Sequence, residues 1–417
     1  MIGLVDGNNF FVSCERVFDP KLEGKAVAVL SNNDGCCVAR SNEFKAKGIK
    51  MGTPYFQLKD REQTGELIFR SSNYELYGDM SRRIISILRE EALEVEQYSI
   101  DEAFIVPPIM KGQLTLPDYG RRLRKKILQW TGIPCGVGFA PTKTLAKIAN
   151  HIAKKRPEGV FMLPDDPTEI LASLPVGEVW GVGKRLPVKL QLSRILTAKD
   201  LRDASDDVLR SIGGVTLMKV AMELRGIASH EERDYEADPD SVTCSRTFGS
   251  PVTEQEALCE SIAGFAAQGA VKLRRHGMIA SGCNIYAQYG TALDHGWVER
   301  TVVFGHPTSA TSEILSAISE DAKRLYLRGL KYRKSGITYF GLEKRNGVRQ
   351  MGLFGEHDEE REQMQKLYQS VDSLNARYGR GRVFAAAEGI NRKWQMNRTK
   401  ISGRMTTSWG ELLVVSG

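Results

Sequence analysis

Cysteine is scarce in this 417-residue chain, and its placement is uninformative in a useful way. There are seven: Cys14, Cys36, Cys37, Cys135, Cys244, Cys259 and Cys283. The count is odd and no two stand at C-x-x-C spacing, which argues against a zinc site and against a disulfide framework. Long apolar runs are missing as well; none reaches the roughly 20 residues that cross a bilayer. The opening "MIGLVDGNNFF" carries no basic leader and meets Asp6 at once. The expectation is a soluble protein of the reducing cytoplasm with no membrane partner. Neither charge dominates: 58 basic against 51 acidic residues leaves +7, which suits a polyanionic partner without demanding one. Internal repeats and low-complexity tracts are absent. What is present is length enough for about two to four domains and 41% hydrophobic residues to fill their cores.

Up to about residue 165, strand-like and helix-like segments alternate in an α/β manner. "MIGLVDGNNFFVSCERVF" reads as a buried strand ending at Asp6, a Gly-Asn turn and a helix. "KAVAVLS" reads as a strand and "SNEFKAKGIKMG" as a helix closing near Gly48. In "ELYGDMSRRIISILREEA" the apolar Ile84, Ile85 and Leu88 have helical spacing. "LPDYGRRLRKKILQWTG" is an amphipathic basic helix, "IPCGVGFA" a strand and "TKTLAKIANHIAKK" a helix. The proline-rich "RPEGVFMLPDDPTEILASLPV" marks a boundary, after which the chain reads as all-helical to about residue 230. "EERDYEADPDS" has the composition of a linker. Four β-like runs and two helical segments follow between about 242 and 345. The last 70 or so residues are polar, Arg-rich and weakly periodic.

Within "VEQYSIDEAFIV" an acidic pair, Asp101 and Glu102, interrupts a run of β-formers. A hairpin tip with both carboxylates in water accounts for it. So does a metal site, provided that a third acid joins them. Asp6, at the end of the first strand, is that acid if the hairpin lies beside this strand; otherwise it caps the following helix. Three hard oxygen ligands suit Mg²⁺ or Mn²⁺. Two such ions ~4 Å apart would serve in-line phosphoryl transfer.

Taken together, "VDGNNFFVSCE", "YSIDEAF" and "GVGFAPTKTLAKIANHIAKK" resemble the Y-family translesion DNA polymerases. "LSNNDGCCVARSNEFKAKGIKMG", "SSNYELYGDMS", "VWGVGKR", "CSRTFG" and "LNARYGRGRVFAAAEGI" narrow the resemblance to the UmuC type, with MucB- and RumB-like relatives. It runs along nearly the whole chain. It implies an α+β multidomain fold, a right hand with palm (1–20 and 70–165), fingers (21–69), helical thumb (166–232), linker (233–241), α/β little finger (242–345) and a tail (346–417). The implied activity is template-directed, error-prone translesion synthesis in the SOS DNA-damage response, by two-metal-ion transfer from dNTPs to a primer 3′-OH.

The resemblance assigns roles residue by residue. Asp6, Asp101 and Glu102 match the metal-binding carboxylates, with the carbonyl of Gly7 completing one shell. Phe11 matches the steric gate that leaves no room for a ribose 2′-OH; a core aromatic is the bland reading. Lys45 and Lys154 match triphosphate-binding positions, although each also reads as a solvated lysine. Where many relatives have Tyr, this chain has Asn42, which leaves the contacts on that side open, and Asn9 receives no role. Gly181, Gly183 and Lys184 form a turn entering a helix, which resembles a helix–hairpin–helix gripping duplex DNA through phosphates. "LRSIGGVTLMKVAMELRG" is a poorer second copy. Arg246, Lys272, Arg274 and Arg275 are the basic residues offered to the DNA backbone beyond it, Arg246 first. In "RQMGLFGEHD", Gln350, Leu353 and Phe354 resemble the peptide that docks on the sliding clamp. The basic tail implies a UmuD′-type cleaved partner and RecA. A DNA-binding scaffold with a vestigial site and a nucleotidyl cyclase are the competing readings. The first leaves three intact carboxylates unexplained; the second leaves the thumb and clamp peptide unexplained.

Overall fold

The computed structural model describes residues 1–108, 115–229, 238–291, 294–345, 358–379, 381–390, 392 and 394–412, without the side chains of 358–362 and 409. Two compact units emerge. One comprises Met1–Ser31, Gly35–Tyr235 and Lys400–Gly417; the other comprises Asn32–Asp34 and Glu236–Thr399.

The first unit begins with strand β1 (Ile2–Gly7), helix α1 (Phe10–Phe18), β2 (Val27–Leu30), β3 (Cys37–Arg40), α2 (Asn42–Ala46) and α3 (Lys59–Gln63). It continues through β4 (Ile68–Ser71), α4 (Tyr74–Glu91), β5 (Glu94–Gln97), β6 (Glu102–Val106), α5 (Leu116–Thr131), β7 (Cys135–Ala140), α6 (Lys143–Ala153) and β8 (Val160–Met162). The main sheet has the order β5-β6-β1-β7-β8. β1 is central and antiparallel to both neighbours; β7 and β8 run parallel. The α/β alternation of the sequence therefore does not give a parallel sheet. Here β5 and β6 form a hairpin, and β6 returns beside β1. A smaller sheet, β3-β2-β4, holds the insertion after α1. Its strands β3 and β4, like β8, have only three or four residues each, too short for a periodicity signal.

Helix boundaries follow local chemistry. Ser41, Asn73 and Thr142 each accept a backbone N–H at the start of α2, α4 and α6. Gly48 closes the α2 segment with φ 75°, as its place in the sequence predicts. Gly138 on β7 lets α6 lie directly on the sheet, because a Cβ there would collide with the backbone of Ala149 and Asn150. The buried Asn150 side chain then ties α6 to both strands, donating to Leu4 O (3.0 Å) and Gly136 O (2.9 Å).

The rest of this unit is helical: α7 (Thr168–Ser173), α8 (Leu186–Leu192), α9 (Ala198–Asp203) and α10 (Asp206–Leu224). α10 breaks at Gly214 (φ 66°, ψ −162°), so the Gly-Gly of the second proposed hairpin does form a turn between helices. Among the described residues no helix is long and apolar enough to cross a membrane.

The second unit is a four-stranded antiparallel sheet, β11-β10-β12-β9. Its strands are β9 (Val242–Val252), β10 (Met278–Gly290), β11 (His295–Thr308) and β12 (Tyr332–Lys344); its helices are α11 (Gln255–Arg275) and α12 (Thr311–Arg324). These are the four β-like runs and two helical segments that the sequence shows. A further helix, α13 (Asp358–Tyr378), lies in the segment that reads as weakly periodic. Its mean hydropathy is low, and it is held by polar bonds: Arg274 makes a forked pair with Asp372 (2.8 and 2.9 Å).

Candidate functional site

Asp6 stands directly opposite Glu102 in the β1–β6 ladder. Directly opposed residues put their side chains on the same face, so two acids far apart in sequence become neighbours. Asp101 occupies the bend just before β6, and its carbonyl accepts the N–H of Gly7 at 2.9 Å. Ser99, which the sequence reading passed over, holds this tip. Its hydroxyl accepts the N–H groups of Asp101 (3.2 Å) and Glu102 (3.0 Å) and donates to the Asp101 carboxylate (2.6 Å). The hairpin-tip reading of "SIDE" is thus correct as geometry, yet the acids are half-buried beside the end of β1 rather than free in water.

Helix α6 faces these acids with lysines at positions 143, 147 and 154, one stripe of the helix. Lys154 Nζ lies 2.5 Å from Asp6, and Lys147 Nζ lies 2.8 Å from Glu102. Lys143 pairs with Glu96. Lys147 also sits 4.3 Å from the ring centre of Tyr98 and 5.2 Å from that of Trp180, a cation–π environment. Lys143 and Lys147 were not singled out from sequence; their stripe was legible, but its target was not.

Burial dominates the electrostatics of Asp6. It pushes the carboxyl up to about 6, against the opposing pull of Lys154, and the negative charges of Glu102 and Asp101 add to the rise. A cation is what such a cluster is short of. Among the described residues, no three His, Cys, Asp or Glu side chains are gathered into a chelate as they stand; two of the three acids are turned to lysines. The donor set of three carboxylates nonetheless fits a hard divalent ion. The buried Asn8 Oδ1, next to Gly7, has no hydrogen-bond partner among the described residues.

A second cationic group approaches from α2. Lys45 Nζ donates to Asn9 Oδ1 at 2.6 Å, and Asn9 Nδ2 donates to Asn42 Oδ1 at 3.1 Å. The two residues without a role are therefore the link between α1 and α2. Asn9 does this from a left-handed conformation (φ 48°) that Asn tolerates better than most residues. Burial lowers the Lys45 pKa, helped by the positive charges of Arg40 and Lys154. Arg40, Lys45 and Lys154 thus share one field beside Asp6, the electrostatics of a polyanion site. A cleft of about 570 Å³ lies on the other side of these acids, between α6 and the segment after α7, lined by Asp6, Glu102, Lys147, His151, Lys154 and Trp180 among others; Arg40 and Lys45 are not part of its lining.

Phe11 is half-buried near the start of α1. Its ring stacks on Tyr77 (centroids 4.4 Å apart, planes at 14°) and meets Tyr74 edge-on at 5.9 Å. Gly181 (φ 91°), Gly183 and Lys184 are exposed in the turn before α8. Arg246 is exposed on β9 in the other unit. Arg274 is not available to a phosphate: besides Asp372 it bonds Ser309 O and Thr311 and covers the ring of Tyr368. Gln350, Leu353 and Phe354, and most of the linker, lie outside the described residues.

Comparison with known proteins gives the chain's family and fold. Residues 5–151 match the impB/mucB/samB family, residues 239–353 its C-terminal domain, and residues 365–415 a domain of unknown function, DUF4113. The chain is 38% identical to the protein UmuC of Salmonella typhimurium and 33% identical to MucB of Escherichia coli, with all of both chains covered in each case. It is 30% identical to DNA polymerase IV 1 of Bacillus subtilis over 95% of this chain and 94% of that one. Among solved structures, the insertion ternary complex of Dbh DNA polymerase superposes with TM-score 0.55 at 21% identity, and a Y-family chimera of Dbh and Dpo4 with 0.61 at 22%; each match covers 82% of this chain and all of the other. Those likenesses carry the fold, a right-hand α+β polymerase. With the full-length identities, they make the chain a member of the impB/mucB/samB family, the UmuC-type branch of the Y-family translesion DNA polymerases.

Proposed function

We propose that this chain extends a primer 3′-OH on a damaged template, error-prone and in the SOS response, with Asp6, Asp101 and Glu102 as the acids that hold two Mg²⁺ ions, Mn²⁺ substituting. The observation that carries this reading is the register of Asp6 against Glu102, with Asp101 tied to Gly7 beside them. The ions, when bound, activate the attacking hydroxyl and neutralise charge on the leaving group. The protein's own part is positioning and electrostatics. Lys154 releases Asp6 and turns to the triphosphate, which Lys45 meets from the other side; the Gly7 carbonyl would be a further ligand for one of the ions. Asn9 holds Lys45 in place through its side-chain oxygen. Phe11, backed by Tyr77, closes the floor under the sugar and excludes a ribose.

In this reading the five-stranded sheet is the palm, the β3-β2-β4 insertion the fingers, α7–α10 the thumb, and the β11-β10-β12-β9 sheet with α11 and α12 the little finger. Gly181, Gly183, Lys184 and Arg246 grip the DNA backbone. The peptide of Gln350, Leu353 and Phe354 docks on the sliding clamp, and the tail serves a UmuD′-type partner and RecA in the cytoplasm. Primer extension with dNTPs and Mg²⁺ is the test: product longer than the primer is expected, and Asp101→Ala should reduce it by at least ~10³-fold while DNA affinity changes only a few-fold. Normal extension by Asp101→Ala would refute the assignment.

A further inference from the structure

Lys400 to Leu412 belongs to the first unit, although the residues before it group with the second. Three contacts fasten the start of this segment. Lys400 and Ser71, at the end of β4, exchange two bonds: Ser71 N–H to Lys400 O (3.0 Å) and Lys400 N–H to Ser71 Oγ (2.9 Å). The Lys400 ammonium pairs with Glu62 at 2.8 Å. Asn73 caps α4 through its side-chain oxygen and uses its amide nitrogen on Ser402 Oγ (3.0 Å) and Gly403 O (3.2 Å).

Ser402 then reaches further in. Its hydroxyl donates to Glu15 Oε1 at 3.1 Å, and the same oxygen accepts the Tyr77 hydroxyl at 2.6 Å. Glu15 is 2% exposed. A buried carboxyl needs donors, and one of its donors comes from the far end of the chain. Glu15 lies four residues after Phe11 on α1, and Tyr77 four after Asn73 on α4; such spacing places each pair on one helix face. Since the Tyr77 ring stacks on Phe11, a continuous path runs Ser402–Glu15–Tyr77–Phe11, and Asn73 meets it at two points, its amide on Ser402 and its carbonyl on the Tyr77 N–H.

We propose that Lys400–Gly403 is a positioning element of the sugar gate: Ser402, acting through Glu15 and Tyr77, fixes the plane of Phe11 and so sets how strictly the site rejects ribonucleotides. This rests on the reading of Phe11 as the gate. A gate of this kind works by repulsion against one added oxygen, and non-bonded energies change steeply over a few tenths of an ångström. Tyr77 is the wall behind the ring. Freed from Glu15, it tilts, the ring retreats, and the 2′-OH finds space.

The test uses the full-length chain in single-nucleotide extension with Mg²⁺, measuring kcat/KM for each dNTP and its matching rNTP. Ser402→Ala and Tyr77→Phe should each lower the preference for dNTP about five- to tenfold, the scale of one lost hydrogen bond. In Ser402→Ala the change should sit in the KM for the rNTP, with kcat for the dNTP within about twofold of the parent. Ser402→Thr should restore the preference. The double variant should be no worse than the worse single one, because both break the same path. A purely structural tail would depress dNTP and rNTP incorporation together and leave their ratio alone. An unchanged ratio in Ser402→Ala and Tyr77→Phe, with Phe11→Ala still collapsing it, overturns the coupling and leaves the gate standing. If Phe11→Ala itself leaves the ratio unchanged, the gate assignment falls and the coupling with it.

Discussion

The two units are built on opposite economies of charge. In the second, strands of 11 to 14 residues surround a core of Ile262, Phe265, Ile285, Ile337 and similar side chains. Its buried tyrosine hydroxyls, Tyr332 and Tyr339, simply donate to the carbonyls of Leu325 and Ala266. In the first, the strands are six residues or fewer, and β1, β6 and the edge strand β5 carry Asp6, Glu102 and Glu96 against Lys154, Lys147 and Lys143. Apolar packing stabilises in proportion to area; partly buried ion pairs contribute little or cost something. The first unit tolerates that cost because its chemistry needs the charges in place.

Substitutions should separate the two designs. The largest effect belongs to Asp6→Asn: extension should fall by at least ~10³-fold, yet the protein should become more stable. The sign follows from linkage. With its pKa raised from 3.8 to about 6, Asp6 binds protons in the folded state that it releases when unfolded, so stability declines as pH rises through that window. At pH 7.5 the ionised group costs about 2–3 kcal/mol at most, which the amide removes; a thermal midpoint that fails to rise would contradict this. Next, Ile285→Ala, fully buried in the second unit, should cost about 2–5 kcal/mol of stability, with the chemical step of the folded enzyme unaltered. Single-turnover rates at low temperature, beside a denaturation curve, distinguish the two outcomes. The smallest effect is on pH. Extension at subsaturating Mg²⁺ should fall about fourfold between pH 7.5 and 5.5, as the ionised fraction of Asp6 declines. A flat profile would show that Asp6 is already ionised throughout.

Much of this arrangement is legible in the sequence, unevenly. Asp6, Asp101 and Glu102 announce themselves because carboxylates inside β-forming runs violate the local pattern, and the antiparallel return of β6 is the one extra fact needed to join them. In the second unit β9–β12, α11 and α12 are long enough for periodicity to speak, whereas α13 is long but too polar for its period to show. Asn9, Asn42 and Lys147 are silent for the converse reason. An asparagine after a turn and a lysine on an amphipathic helix fit any surface, and only the fold reveals what they touch. Ser402 is more hidden still. Its partner is 387 residues away in sequence, a separation at which no local rule operates.

The return of the final segment to where the chain began also changes how deletions should be judged. Removing residues 400–417 would shorten the protein by only eighteen positions, far in sequence from Asp6, Asp101 and Glu102. It would still strip β4 of its companion at Ser71 and leave a sealed-in glutamate short of a donor. Likewise, cutting the backbone between 230 and 237 would not sever residues 1–229 from 238–417 outright, since the latter fragment retains a handhold on the former.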